Sequence, residues 1–472
     1  MGSVIDQDKN YKADFGNIFR SSAIFYKPPG VETTITVSNY WDFKNSLQIG
    51  LMFSIRDMKG KLVVRHVKYF EDQNVLNFRF DELDEGSVEV EAFGSRNLRI
   101  PYAAVMAIYE TSDSVSMVHS YGRNHSLTEL EDGNSLTSGR ESCWTLRCAA
   151  DVENSAVFHN GHLPVEKQTA RIILTNQQGE NQESDCPIDA IEPYETLRFD
   201  LEQLCPGYKQ FLNGKNGWAT IHFDNHSSFT RLLILWRHTP SGHVQVTHSN
   251  FDYTAHSTNT LKAEKPAYMK IPSELIEKTQ CEVVVYPKFT KGKYTWTLGD
   301  QSEDFETGTF IGLKEPQQEC LTFARQDGEL PARIVTAISG ERAGSTLPFE
   351  CSLGIIHEKR PPKRFHWATV SARLNSSVYL TEYSEIYGRP NGPLRLICRL
   401  YSENNNDVPE TVLEYDSIDD LPNALRLDEI FENSGSFLGD GFGYVSLFCE
   451  WGGLFLLSTM ETDNAFTMEH SF

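Results

Sequence analysis

Three five-residue stretches of this chain are close variants of one another: Met117-Val118-His119-Ser120-Tyr121, Val246-Thr247-His248-Ser249-Asn250 and Met468-Glu469-His470-Ser471-Phe472. Each follows an apolar run and a polar turn. The runs are Ala103 to Tyr109, Leu232 to Trp236 and Leu454 to Thr459. The turns are Glu110 to Ser114, His238 to Gly242 and Glu461 to Asn464. An apolar strand, a turn and a returning strand make a β-hairpin. The same terminal hairpin is therefore written three times, and such self-similarity decides the fold before any single residue does.

Two further signatures precede each hairpin in the same order. One is Asn77-Phe78-Arg79-Phe80-Asp81, then Leu197-Arg198-Phe199-Asp200, then Leu425-Arg426-Leu427-Asp428. The other is a strand led by glycine: Gly86 to Val90, Gly217 to Ile221 and Gly443 to Leu447. A weaker fourth copy fills the gap. There Leu321 to Ala324 stands for the first signature, Ala332 to Val335 for the strand and Arg364-Phe365-His366-Trp367 for the hairpin end. The boundaries this predicts are 16–127, 140–257, 262–370 and 371–472, with polar linkers at 126–140 and 257–266. Modules three and four, with almost no linker, are expected to share an interface.

Helical periodicity is scarce, whereas short β-branched strands and Gly turns punctuate the whole chain. Ala219, Ile221 and Phe223 alternate with Thr220 and His222, so one sheet face is buried and one solvated. The predicted fold is all-β: tandem antiparallel β-sandwich modules in four internal repeats. Single helical turns are expected at 200–204 and 417–421. The pattern is similar to tandem immunoglobulin-like or other sandwich modules of bacteria, a likeness of architecture rather than of function.

The 472 residues carry 43 Lys and Arg against 65 Asp and Glu, a net charge of −22. An acidic surface repels phosphate backbones, which disfavours nucleic acid as a partner. No apolar run approaches the length of about 20 residues that a membrane-spanning helix needs. Nine cysteines, an odd number without a C-x-x-C pair, suggest reduced buried thiols. With no signal-like start, they suggest a cytoplasmic protein.

Histidines are the most unevenly placed residues: eight of fourteen lie between 159 and 256. Imidazoles take divalent transition metals. His159 and His162 could present two rings from one turn. His222 and His226 flank Asp224, a carboxylate ligand or second partner for such a site. No H-E-x-x-H or H-x-H spacing supports this, so scattered surface histidines are the plainer reading. The repeated His119, His248, His366 and His470 first suggest a structural role at a sandwich edge. The sharper alternative is that modules pack around a pseudo-axis and three of these rings converge on one metal.

Hydrolase elbows and phosphate loops are missing. Aromatic clusters around Trp41 and Tyr253, with neighbouring Asp and Asn, would suit a sugar ring or a protein hot spot if exposed. The sequence therefore predicts a non-catalytic binding or scaffold protein that engages a protein or glycan through loops and module interfaces. The alternative is a metal-dependent enzyme or metal-binding protein, with its histidines in module two or at a module junction. A weaker third option places paired carboxylates of a carbohydrate-active enzyme at an intermodule cleft. Whether the chain is an enzyme stays open at this stage.

Overall fold

The computed structural model describes residues 19–71, 73–94, 104–119, 122, 141–225, 228, 231–250, 260–261, 266–287, 292–315, 320–331, 334–354 and 363–471. The protein is all-β, with eight four-stranded sheets and one short pairing of Thr260–Leu261 with Leu330–Pro331 among the described residues. Module one has strands Phe19–Lys27, Glu32–Ser38, Gly50–Arg56, Leu62–Tyr69, Val75–Arg79, Gly86–Gly94, Val105–Glu110 and Val115–His119. Counted in chain order, they pair 1-6-3-4 in one sheet and 5-2-7-8 in the other. The strands within 141–248, 267–354 and 365–470 repeat both orders without change. Four copies of one sandwich are thus present, the sequence-divergent third included.

The register of the third copy differs from the sequence expectation. Phe365–Val370 pairs with Gly443–Cys449 and is the first strand of module four. The boundary expected at 370 therefore falls between 354 and 365. The hairpin of module three is Val335–Arg342 with Phe349–Gly354. Leu321 to Ala324 belongs to the sixth strand, Cys320–Arg325, rather than to the fifth, Thr309–Gly312.

The repeated signatures have local causes. The glycines lead the sixth strand. A Cβ on Gly86, Gly217 or Gly443 would come under 3.0 Å from the carbonyl of Arg56, Thr175 or Tyr401 on the third strand. It would also meet Leu83, Leu212 or Leu438 from the preceding connection. Only glycine lets the strand start that close to its neighbour. The aspartate-ended signature is the fifth strand entering a helical turn, as Thr196–Asp200 runs into Leu201–Leu204. The other expected turn forms at Ile418–Asp420, capped by the Ser417 hydroxyl, which accepts from the Asp419 amide.

The chain divides into two compact units, one of 1–111 with 118–251 and one of 112–117 with 252–472. In the first unit one apolar core joins module one to Val157, Leu233, Leu235, Val244 and Val246 of module two. In the second, the module-three core joins Tyr379, Leu457, Phe466 and Met468 of module four. Val157 and Tyr379 hold the same place in their second strands, opposite Leu233 and Leu457. Modules thus pair two by two through the 5-2-7-8 sheets, and the pairing itself is repeated. Lys270, buried at that junction, is held between Glu382 at 2.5 Å and Glu385 at 2.9 Å. The interface expected between modules three and four is present. Among the described residues no helix is long and apolar enough to cross a membrane.

Candidate functional site

Side chains alternate along a strand, so in the eighth strand of module two Val244, Val246 and His248 share a face. That face packs on module one, which brings His248 to a module junction. The His119 and His248 rings meet edge to face there, with centroids 4.4 Å apart. Both are buried. His248 Nδ1 donates to the Ser249 carbonyl at 3.0 Å. Arg231 Nη1 lies 3.5 Å from His119 Nε2, the geometry of a guanidinium donating to a neutral ring. Burial first, and the Arg231 charge second, hold His119 well below the usual histidine range. His470 ends the corresponding strand of module four, opposite Leu457 as His248 is opposite Leu233.

His366 is not the module-three member of this set. It sits in the first strand of module four, opposite Leu447, with Nδ1 3.3 Å from Ser471 Oγ. Counted from the hairpin, the matching position in module three is Leu353, four residues after Phe349. The His366 side chain is buried and its pKa is lowered to about 3, chiefly by desolvation.

The other histidines of module two do not gather. His159 is buried, with Nδ1 2.7 Å from Thr196 Oγ1, and desolvation lowers its pKa to about 3. His162 lies in the following turn and is half-buried. His222 is half-buried at the end of its strand, opposite Arg171. The exposed Asp224 exchanges backbone hydrogen bonds with the Gln168 side-chain amide. No group of three metal donors forms from these residues among those described, and His226 lies outside the described residues.

Trp41 is a core residue, not a surface platform. It is 1% exposed, within the module-one core, and stands edge-on to Tyr40. No sugar ring can stack on it, which corrects the expectation from its polar neighbours. Tyr253 lies outside the described residues. All nine cysteines are free, seven buried and two, Cys148 and Cys320, half-buried.

In the second unit a cleft of about 760 Å³ is lined in part by Glu274, Lys278, Tyr379, Arg426, Asp428 and Glu461. Two of its four carboxylates are in ion pairs. Glu461 accepts from Lys278 at 2.7 Å and Arg342 at 3.0 Å, and Asp428 accepts from Arg426 at 2.9 Å. Burial, then Glu277, raises the Glu274 pKa. The pairs of Lys278 and Arg342 with Glu461 link modules three and four.

The feature that sequence reasoning missed is an edge. The fourth strand ends each 1-6-3-4 sheet. In module one this strand, Leu62–Tyr69, is exposed over most of its length, with Val67 at 56% and Tyr69 at 62%. Leu62 and Val63 are exposed with them. Val67 and Tyr69 stand opposite Met52 and Gly50 on the third strand, and the Tyr69 ring lies over Gly50. Arg65 Nε donates to Ser54 Oγ at 3.1 Å. A bulge between Ile55 and Arg56 breaks the register near its start. The signal was available as the run Leu62-Val63-Val64-Arg65-His66-Val67-Lys68-Tyr69, whose apolar residues are too many for a half-solvated strand.

No protein-family profile matches the chain, and no curated protein matches it in sequence. Among solved structures it is similar to a β-glucuronidase of Bacteroides uniformis at 12% identity, with a TM-score of 0.12. That match covers 50% of this chain and 26% of the enzyme. A calcium-binding mutant of β-glucuronidase 2 from the same organism gives 12% identity and a TM-score of 0.12 over 49% and 26% of the two chains. The chain spans about a quarter of each of these proteins.

Proposed function

We propose that this chain is a non-catalytic binding protein, a frame of four sandwich modules that presents sheet edges and loops to a macromolecular partner. The observation that supports it is the module-one edge strand. A soluble sandwich normally blunts its edges, and an apolar strand left open among polar ones marks an interaction surface. A protein is the better candidate than a glycan, because Trp41, one of the two aromatics proposed for sugar stacking, is in the core.

The test is a selection with the full chain against a displayed library of protein fragments, run beside a glycan array. A purified fragment that binds saturably, at micromolar affinity or better, is the expected result. If neither screen yields a saturable ligand, the binding reading fails.

One observation favours a second reading. His119 and His248 are two buried rings whose donor nitrogens lie within 4.8 Å, burial favours the neutral form of His119, and neutral imidazole is the ligand form for a divalent transition metal. The nearby Arg231 guanidinium opposes a cation, which is why this reading ranks second. Plasma mass spectrometry of the untagged protein decides it. Near-stoichiometric metal that is lost in His119→Ala and His248→Ala would promote it, and His470→Ala, at the same module position, is the third variant. Background metal after zinc, copper or iron supplementation would leave the pair structural.

A further inference from the structure

We infer that the free edge of Leu62–Tyr69 docks an extended, acidic segment of a partner protein, which adds to the sheet as a fifth strand. The inference rests on the binding reading above and names the chemistry of what is bound.

The four modules supply an internal comparison, because the fourth strand has the same topological place in each. In module two it is Asn181–Ile188, and it carries Glu183, Asp185 and Pro187. In module three it is Gln301–Phe305, with Glu303 and Asp304. In module four it is Glu410–Tyr415, with Glu410 and Glu414. Charges and proline on an edge are the ordinary devices against strand addition. Several of these acids are also matched from the adjacent strand. Glu183 is held by Arg171, Glu410 by Arg399 at 2.8 Å and Glu414 by Arg395 at 3.6 Å.

Module one also has charges, Arg65 and Lys68, and a bulge, but its charges have the opposite sign and stand among exposed apolar residues. Its edge has neither acid nor proline, and Leu62, Val63, Val67 and Tyr69 are exposed on it. From Met58 to Phe70 the chain carries Lys59, Lys61, Arg65 and Lys68 and no carboxylate, in a protein of net charge −22. Lys59 reaches Glu195 at 2.7 Å. Lys61, Arg65 and Lys68 have no carboxylate partner among the described residues. No strand pairs with the outer side of Leu62–Tyr69 among those residues either.

These facts define the occupant. The open ladder asks for a peptide backbone in extended form, and main-chain hydrogen bonds supply the common part of recognition. Alternation then puts one face of the added strand beside Arg65, Val67 and Tyr69 and the other beside His66 and Lys68. Glutamate or aspartate would meet the cations on both faces, and a β-branched or aromatic residue would cover Val67 and Tyr69. A second copy of this chain fits less well. A second copy's edge would bring more lysine and arginine and no carboxylate to Lys61, Arg65 and Lys68, so it lacks the charge complement that an acidic strand supplies.

The experiment uses the full chain and a fluorescein-labelled peptide of alternating glutamate and valine, read by fluorescence anisotropy. The same peptide with lysine for glutamate is the control. Expected results are saturable binding of the glutamate peptide alone, weakened by added salt. In Arg65→Glu/Lys68→Glu and in Val67→Glu the affinity should fall by at least about tenfold. Val412→Glu, on the corresponding edge of module four, should leave it unchanged. Amide exchange at 62–69 should slow when peptide is bound. These positions are exposed, so circular dichroism should report an unaltered fold.

Equal binding of the lysine peptide, indifference to the edge substitutions, or no saturable binding would each overturn the inference. The last result includes the case in which the edge is already occupied by part of this chain outside the described residues. If a fragment selected from the display library binds wild type and the edge variants equally, the edge assignment fails and the binding reading stands. If no fragment is selected but the glutamate peptide binds, the edge chemistry holds on its own.

Discussion

Replacing His366 by asparagine will flatten the acid limb of the protein's stability profile. His366 is buried, its pKa is lowered to about 3 by desolvation and then by Lys363, and its Nδ1 faces Ser471 Oγ. An unfolded histidine titrates near about 6.5. The folded value is depressed, so below that pH the unfolded chain binds the proton and the folded chain does not. Stability is therefore complete above about pH 6.5 and erodes as pH falls, until the folded ring itself protonates near its lowered pKa. At pH 5 this one group costs about 2 kcal/mol relative to neutral pH, from the ratio of unfolded to folded protonation. Asparagine offers Ser471 an amide in place of Nδ1 and cannot titrate. The assay is urea unfolding at pH 7 and pH 5, followed by tryptophan fluorescence and fitted with separate transitions for the two units. The variant's stability at pH 7 sets its baseline, and the loss between the two pH values should be about 2 kcal/mol smaller than in wild type. Parallel losses in the two proteins would refute the burial argument and return His366 to a solvent-like titration.

Two further predictions concern packing and thiol chemistry. Gly217→Ala and Gly443→Ala should each cost about 1–3 kcal/mol, because the new methyl meets a backbone carbonyl that cannot swing away. Gly435→Ala, in the helical turn Ser434–Leu438 with open space around it, should be neutral or gain up to about 1 kcal/mol; chemical denaturation separates the two classes. Native protein at pH 8 should expose only Cys148 and Cys320 to Ellman's reagent, with the other seven thiols reacting after unfolding. Burial pushes Cys281 and Cys398 up to about 12, which leaves little thiolate even where reagent enters.

The repeat was legible because its signatures answer to backbone constraints. A glycine forced by the carbonyl of a neighbouring strand recurs wherever that approach recurs, and Gly86, Gly217 and Gly443 mark it in three modules. The register of module three is not legible in the sequence, because both of its marks are gone. Cys320 pairs with Lys270 as Gly86 pairs with Lys27, and Leu353 stands where the other hairpins have histidine. With those cues absent, His366 was the nearest substitute, although alternation in Phe365–Val370 belongs to a first strand. Recurrence at one module position points His119 and His248 to a structural role at a sandwich edge, with convergence of rings from several modules as the alternative. Choosing between them needs to know which sheets the modules turn toward each other, and no residue spacing carries that. Trp41 misled for a different reason. Polar neighbours on a short helix, Tyr40–Asn45, say nothing about which side faces the core. The edge of module one shows in the sequence only as the apolar excess of Leu62–Tyr69, because an edge itself is defined by what fails to pair with it.

That edge also sets the valence of the chain. The four modules carry four corresponding fourth-strand rims, and acid residues stand on three of them, with proline also in module two; on the proposed reading these three would refuse an incoming strand. A partner bearing many acidic strands would gain no avidity from these four rims if one alone accepts it. The protein would act as a terminator of strand addition rather than a cross-linker. Duplication of the module would then have enlarged the frame without multiplying its contacts, and a single acid placed at Val67 would reduce the count from one to none.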